Sequence, residues 1–500
     1  MHRYFFLLLQ HLGLSAILLA TLYGAGVPQI PFFLGSGLGM ASLSQTTDPL
    51  LRVAIIGAGA GGSSSAFWIA RAIKNSNLTI SVDLLEQSAF IGGRSFSINQ
   101  SVSVPFSVEL GAHLFEDGHK NMWRASMEFN LPVSRIDAMD QTLHFWNGVN
   151  FVRKSPSFWP IVDLLLHHGH PSLALGTTYK RAEQVAARFA EVYQPNFPTW
   201  DAPGELVARL GLLDLLISNT SDYFVRTGAS QSVVNDIVLP LLGGYTDVPA
   251  HALQSLFRMS SSSFYQIPGG TRRIFERFVD LSPASLFLNT TVKSIEHVAG
   301  TPRWRVNTTS SSREYDAVIL AAPFHQANIT TPESLFAKVP LVSYKTVHVT
   351  VLVTRSPDVN TTFLADPSHS QDGRFSSISY WRQTAGRWVI RINSQSPLSD
   401  DWLSRALNRY DQVEAVFRQK WEHPLQVPTV DLPPIRLEEG FYYLNGFESV
   451  VSSMETQIMA SFNLVNLLLR DSFGVDVCGS SPTRNHNIPA QRYFVAGWDC

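Results

Sequence analysis

Gly57, Gly59 and Gly62 stand in a G-x-G-x-x-G spacing, with Ala60 between the second and third. Glycines at these intervals do separate jobs. The first permits a tight turn out of a strand, the second lets backbone approach a pyrophosphate, and the third lets a helix pack on the sheet. Free N–H groups at the start of that helix then face the anion. Glu86 follows 24 residues after Gly62, placed to accept hydrogen bonds from an adenosine ribose. Gly92-Gly93-Arg94 begins six residues further on. Its glycines would bring more backbone close to a cofactor, and Arg94 would offer a forked donor to the pyrophosphate; the alternative is a surface ion pair.

His113 is the candidate for a side chain at a reaction centre, able to steer water or accept a proton near neutrality; the alternative is an imidazole packed for shape. Glu116 would be a general base if buried, and is expected instead to be a solvated loop carboxylate. His119 is expected to be exposed. His167, His168 and His170 precede Pro171 without a second ligand group nearby, so no metal is expected. Neither a G-x-S-x-G elbow nor an H-E-x-x-H pair occurs.

These groups need elements to hold them. Leu51–Ile56 is a short apolar run of the buried parallel type, Ser63–Ile73 has a helical pattern, and Ile80–Leu85 is a second strand. Strand, glycine turn, helix and strand make one right-handed βαβ unit. Helices are expected over Tyr179–Tyr193, Gly204–Ile217, Thr271–Leu281 and Ser453–Arg470. Strands are expected over Phe287–Glu296, Arg303–Thr308, Tyr315–Ala321, Tyr344–Thr354 and Arg387–Ile392. Nucleotide-type elements therefore lie at the start, middle and end. The expected fold class is α/β: a Rossmann-type domain from residues 51–114, 235–330 and 436–472, interleaved with an α+β substrate domain. The latter takes a mostly helical segment, 115–234, and a strand-rich one, 331–435. Residues 473–500 are a tail.

The chain has 500 residues, 45% of them hydrophobic, and a formal net charge of −2. That balance fits a packed globular protein and gives no basic surplus for nucleic acid. Arg3 and the apolar stretch to Leu22, followed by small residues, read as a signal peptide over 1–26 with a leader over 27–50; an uncleaved anchor is the alternative. Sequons at Asn77, Asn99, Asn219, Asn289, Asn307, Asn328 and Asn360 agree with a glycosylated protein of the secretory route. Cys478 and Cys500 either pair or remain free thiols. The run Phe158–Leu166 is read as core helix, with peripheral membrane contact as the alternative.

Gly92-Gly93-Arg94, after Glu86, resembles the extended FAD signature of the amine-oxidase type flavoproteins. Pro268-Gly269-Gly270 before a helix resembles that superfamily's second FAD segment, and Val292 falls where backbone would meet the adenine. More specific are Glu109-Leu110-Gly111-Ala112, Tyr315–Pro323, Asn328-Ile329-Thr330, Phe441–Gly446 and Ser453-Met454-Glu455. Together they resemble the prenylcysteine oxidase (prenylcysteine lyase) family, in order from about residue 51 to 470. The resemblance implies an amine-oxidase/glutathione-reductase-like FAD domain with non-covalent FAD. Gly111, Ala112, Met454 and Glu455 would lie at the cofactor, and the last helix would point its N-terminus at the flavin.

It also implies a lumenal thioether oxidase, in the vacuole or lysosome or outside the cell, acting on a lipophilic substrate. Hydride would leave the carbon next to sulfur, water would trap the cation, and molecular oxygen would reoxidise the flavin, giving hydrogen peroxide. His113 and Glu116 depart from the family pattern, which keeps a second reading open: an oxidase of another lipophilic or prenylated molecule. A non-catalytic flavin- or lipid-binding protein is the third.

Overall fold

The computed structural model describes residues 50–99, 104–136, 141–146, 151–154, 172–239, 250–260, 263–366, 375–383, 386–479 and 494–500. The signal-peptide and leader segments, the 167–170 histidines and the run Phe158–Leu166 lie outside them.

Val53-Ala54-Ile55-Ile56 and Ala317-Val318-Ile319-Leu320 are apolar without interruption, and each is almost fully buried. Such runs suit a parallel sheet covered on both faces. Leu51–Ile56 pairs in parallel with Ile80–Leu85 on one side and Ala317–Leu320 on the other. Ser285–Phe287 extends the sheet beyond 80–85, and Phe441–Tyr443 extends it beyond 317–320. Arg436–Glu438 closes that edge in the antiparallel sense. The chain thus runs to opposite sides of the first strand, and its carboxyl end is a topological switch point, where α/β sheets leave a crevice for a ligand.

Helix Ala60–Ser76 packs on this sheet and against Met454–Phe473, with Ser64 Oγ 2.7 Å from Ser461 Oγ. Behind them Phe67, Trp68, Phe129 and Phe278 gather around Trp498, with ring centroids 5.1–6.1 Å from it. Residues 494–500 are therefore part of the core. Cys478 and Cys500 are bonded to each other. Arg71 Nη2 donates to the Trp498 carbonyl at 2.8 Å, Trp498 Nε1 to Asn121 Oδ1 at 2.9 Å, and Arg124 pairs with Asp499 at 2.6 Å.

The second large sheet is antiparallel, in the order 413–424, 344–354, 388–394, 375–382, 141–146, 151–154. It lies in the same compact unit, Asp48–Cys500, as the parallel sheet.

Several expectations change. The segment 115–234 also contains strands Phe115–Glu116, Ser134–Ile136, Gln141–Trp146 and Phe151–Lys154. The helix expected over Gly204–Ile217 breaks into Pro203–Arg209 and Leu213–Leu216 around Gly211, whose φ is +68°. Phe287–Glu296 is two strands in different sheets, separated by a turn with Asn289 at φ +52°. Phe375–Arg382 and Val413–Pro424 are strands that the sequence pattern did not announce.

Candidate cofactor and substrate site

The glycine turn leaves the first strand at the switch point. Gly57 N donates to the Leu85 carbonyl at 2.8 Å and adopts φ +101°; a Cβ there would lie 2.7 Å from the Ala321 carbonyl oxygen. At Gly62 a Cβ would lie 1.8 Å from the Gly57 carbonyl oxygen, so helix and turn touch there. Gly59 differs. Its backbone is extended, and the nearest atom to a Cβ would be Gly93 Cα at 3.8 Å. No side chain caps the helix at Gly59, and its first turn holds no acid. Bare amides therefore face the turn, as an anion site needs.

Glu86 is 6% exposed and ties this turn together. Its Oε2 accepts from Ala58 N and its Oε1 from Ser88 N, both at 2.8 Å. Its carbonyl accepts from Thr290 N at 2.8 Å, which brings the strand beginning at Val292 alongside. Gly92 N donates to the Ala58 carbonyl at 2.9 Å. Gly111 sits so tightly that a Cβ would lie 2.0 Å from the Arg94 carbonyl oxygen.

A cavity of ≈ 290 Å³ opens beside the turn. On the sheet side it is lined by Ala60, Gly92, Arg94, Gly111, Ala112, Glu448, Met454 and Gln457. Ser453 caps the helix Met454–Phe473 through a reciprocal pair with Thr456 and also lines the cavity, so the positive end of that helix meets it. Glu448 is 2% exposed and forms an ion pair with Arg94. Its Oε2, Gln457 Nε2 and Ser95 Oγ are buried cavity-lining atoms without hydrogen-bond partners among the described residues. Buried polar atoms cost roughly 1–3 kcal/mol each when left unpaired, so these three mark places where a ligand completes the site.

The facing wall is one face of the antiparallel sheet. Val347 lies opposite Trp421 and Val349 opposite Asn393, so these alternate residues share a face. Lys345 lies opposite His423, and Arg391 opposite Val351. Arg258 ends the helix Ala252–Arg258 and lines the cavity too. His251, fully buried, sets that helix by accepting from Gln254 N at 3.1 Å and meeting the Ser449 carbonyl at 3.1 Å. Burial, together with Arg94, Arg258 and Arg391, pushes His423 down to about 4, so it is neutral at pH 7.

The proposed chemical side chains, His113 and Glu116, are not among the residues that line the cavity. His113 is half-buried with Nδ1 3.0 Å from the Gly111 carbonyl; burial and then Arg391 push its pKa down to about 3. Glu116 is half-buried rather than solvated, and burial lifts it to about 7 against the pull of Arg258. His119 is buried rather than exposed: it stacks on Phe257, and Glu116 N donates to its Nδ1 at 3.2 Å. Glu455 needs the largest correction. Its carboxylate accepts from Asn121 N, Asn121 Nδ2, Met122 N and Tyr193 Oη at 2.7–3.0 Å. It is a buried hub behind the helix, while its neighbour Met454 lines the cavity. Arg94 forms an ion pair, as the alternative reading had it, but with the buried Glu448 at the cavity rather than on the surface.

Arg258, Lys345, Arg391, Trp421, His423 and Gln457 were not singled out from sequence. They lie far apart along the chain, and the only local signal is the alternation from Lys345 through Val347 to Val349.

Glycine turn, switch point and facing helix together define a dinucleotide-binding crevice, and the family match makes the protein a flavin-dependent oxidoreductase. The chain belongs to the family described as flavin containing amine oxidoreductase, whose model matches residues 69–399. The prenylcysteine lyase model matches residues 376–475. The chain is 24% identical to prenylcysteine oxidase 1 of Mus musculus over 480 residues, covering 86% of this chain and 92% of that one. It is 21% identical to farnesylcysteine lyase of Arabidopsis thaliana, covering 88% and 92%. Among solved structures, cyclohexylamine oxidase from Brevibacterium oxydans superposes with a TM-score of 0.54 at 15% identity, covering 83% of this chain and 97% of that one. Putrescine oxidase superposes at 0.53, also at 15% identity, covering 84% and 100%. The fold is that of the FAD amine oxidases.

Proposed function

We propose that this protein is an FAD-dependent oxidase that cleaves the thioether of prenylcysteine-like substrates. The observation that carries the proposal is the cavity itself: a glycine-lined wall suited to a dinucleotide faces Val347, Val349 and Trp421, a surface suited to an apolar chain. The names of the relatives, prenylcysteine oxidase 1 and farnesylcysteine lyase, agree with it.

When bound, FAD supplies a two-electron acceptor that molecular oxygen can reoxidise. The chain's residues do the rest. Gly59 and Gly93 let backbone approach the pyrophosphate, and the helix start at Ala60 and Gly62 offers its amides. Glu86 keeps a lone pair on each oxygen for the ribose, and the backbone at Val292 passes the adenine. Gly92, Arg94, Gly111 and Ala112, which line the cavity, would border the ribityl and ring region. The helix beginning at Met454 directs its positive end at the ring. Val347, Val349 and Trp421 exclude water and orient the prenyl chain. His113 and Glu116 act as positioning residues behind Ala112.

The two cysteines of the chain are bonded to each other and offer no thiol for a tether, which supports non-covalent FAD. The disulfide and the sequons support an N-glycosylated protein in the lumen of a vacuole or lysosome, or outside the cell. Among the described residues no helix is long and apolar enough to cross a membrane.

An anaerobic visible spectrum before and after addition of S-farnesylcysteine tests the proposal. Rapid bleaching of a flavin spectrum is expected. A stable oxidised spectrum under excess substrate removes the thioether reading, and absence of any flavin after reconstitution removes the cofactor.

A further inference from the structure

The cavity changes character along the strand Tyr344–Thr354. Lys345 and His423 form one cross-strand pair and Val347 and Trp421 the next on the same face, and all four line the cavity. Val349 lines it one step further on. Val351 and Val353 continue the same face, but they are fully buried and fall outside the described lining. There Val104, Val108 and Leu110 pack on the sheet, with Phe96 beside them. The lining thus passes from polar to apolar and ends blind.

Two side chains fence that blind end. Trp421 belongs to the edge strand Val413–Pro424, and its Nε1 donates to the Leu110 carbonyl at 2.7 Å. Its ring meets Phe96 edge-on, with centroids 6.4 Å apart. Arg391, opposite the buried Val351, donates its Nη1 to the next carbonyl along, that of Gly111, at 3.3 Å. The antiparallel sheet is therefore pinned from two of its strands to two consecutive carbonyls of the glycine-side wall. An indole held at its nitrogen and packed at its edge has little freedom to swing aside.

We propose that Trp421 gauges the apolar chain of the substrate: the pinned indole ends the cavity, admits a farnesyl group and excludes a chain one isoprene unit longer. From Lys345 to Val349 the strand rises about 13 Å, comparable with the reach of a farnesyl chain and short of a geranylgeranyl chain. A chain laid along Val347 and Val349 leaves its polar head beside Lys345 and His423, where Pro424, Leu425 and Gln426 also border the cavity. Extra carbons then press on a ring fixed in a close-packed wall, which relaxes only at a cost. The inference rests on reading this cavity as the thioether site, and it names the chain length that site takes.

The test uses the purified flavin-loaded protein. Geraniol, farnesol and geranylgeraniol are titrated against the flavin spectrum and by calorimetry, which reads binding without turnover. S-farnesylcysteine and S-geranylgeranylcysteine are then compared in kcat/KM. In the wild type, affinity should rise at least tenfold from geraniol to farnesol as more apolar surface is buried, and fall at least tenfold from farnesol to geranylgeraniol. The two thioethers should show the same fall, carried by KM. Trp421→Ala should bring geranylgeraniol level with farnesol or above it. Trp421→Phe keeps a ring but loses the bond to Leu110, and should fall between the two. Val347→Ala removes apolar wall away from the fence, so it should weaken both alcohols alike and preserve their order.

Equal affinity of the wild type for farnesol and geranylgeraniol overturns the proposal, and needs no variant to be seen. A folded, flavin-loaded Trp421→Ala protein that keeps the farnesol preference, or that loses both alcohols alike, also overturns it. Farnesol selection that shifts in Trp421→Ala without bleaching by S-farnesylcysteine leaves the gauge standing and removes the thioether reading. Bleaching by both thioethers at equal kcat/KM keeps the thioether reading and removes the gauge.

Discussion

Gly59→Ala and Gly62→Ala put the same methyl group into the same turn, and the structure predicts opposite failures. At Gly59 the backbone is extended at φ −75° and ψ −167°, which alanine adopts freely, and the new Cβ meets only Gly93 Cα at 3.8 Å. Apoprotein stability should change by less than about 1 kcal/mol, with a small gain from the stiffer unfolded chain. The methyl does occupy the space through which a pyrophosphate would pass. Overpacking by one methyl costs roughly 1–3 kcal/mol, or about 5- to 150-fold in FAD affinity. At Gly62 the Cβ would lie 1.8 Å from the Gly57 carbonyl oxygen and 3.3 Å from the Ala321 Cβ. Helix and sheet must move apart, so stability falls before any cofactor is added. The assay is thermal unfolding of each apoprotein together with an FAD titration followed by flavin fluorescence. Wild-type FAD affinity in Gly59→Ala would refute the placement of the pyrophosphate. Equal destabilisation of the two apoproteins would refute the distinction between a ligand-facing and a packing glycine.

Other outcomes follow from the same geometry. Glu455→Ala strands the buried donors of Asn121, Met122 and Tyr193; it should cost at least about 3 kcal/mol in chemical denaturation, while molecules that remain folded keep an unaltered flavin spectrum. Glu116, lifted to about 7 by burial, holds its proton more tightly folded than unfolded, so its contribution to stability falls as pH rises from about 4.5 to 7. Glu116→Gln should therefore match wild type at pH 4.5 in melting temperature and exceed it at pH 8. Cys500→Ser opens a loop of sequence separation 22 and should lower stability by about 3 kcal/mol, read in urea under non-reducing conditions. Peptide mapping should find glycans on the exposed Asn77, Asn99, Asn289 and Asn328. Asn307 and Asn360 should stay bare, because their amide nitrogens donate to Ser294 and to the Arg405 carbonyl.

What sequence made legible was local. The Gly57–Gly62 turn, Glu86 and the capped helix at Ser453 each need a few residues at fixed spacing, and the structure places all three at one crevice. The cavity wall facing the glycine turn was hidden because it is assembled from positions 258, 345, 391 and 423, which no window spans. Val413–Pro424 escaped notice because most of its residues are only half-buried, which blurs the alternation that marks a strand. Glu455 misled for a different reason: its neighbour Met454 does line the cavity, but one step along a helix turns a side chain by about 100°, here into the pocket made by Asn121 and Tyr193. His119 was expected at the surface by residue type alone, whereas Phe257 covers it.

Trp498 gives the molecule a timetable. Its ring packs on Phe67 and Trp68 of the helix that follows the glycine turn, and its indole nitrogen holds Asn121, which in turn holds Glu455 on the helix facing the cavity. Residues 494–500 leave the ribosome after everything they secure, Cys478 included. Until then the two helices that flank the cofactor lack their common wedge. Newly made protein should therefore lack that wedge until residues 494–500 dock, whatever else has folded before them.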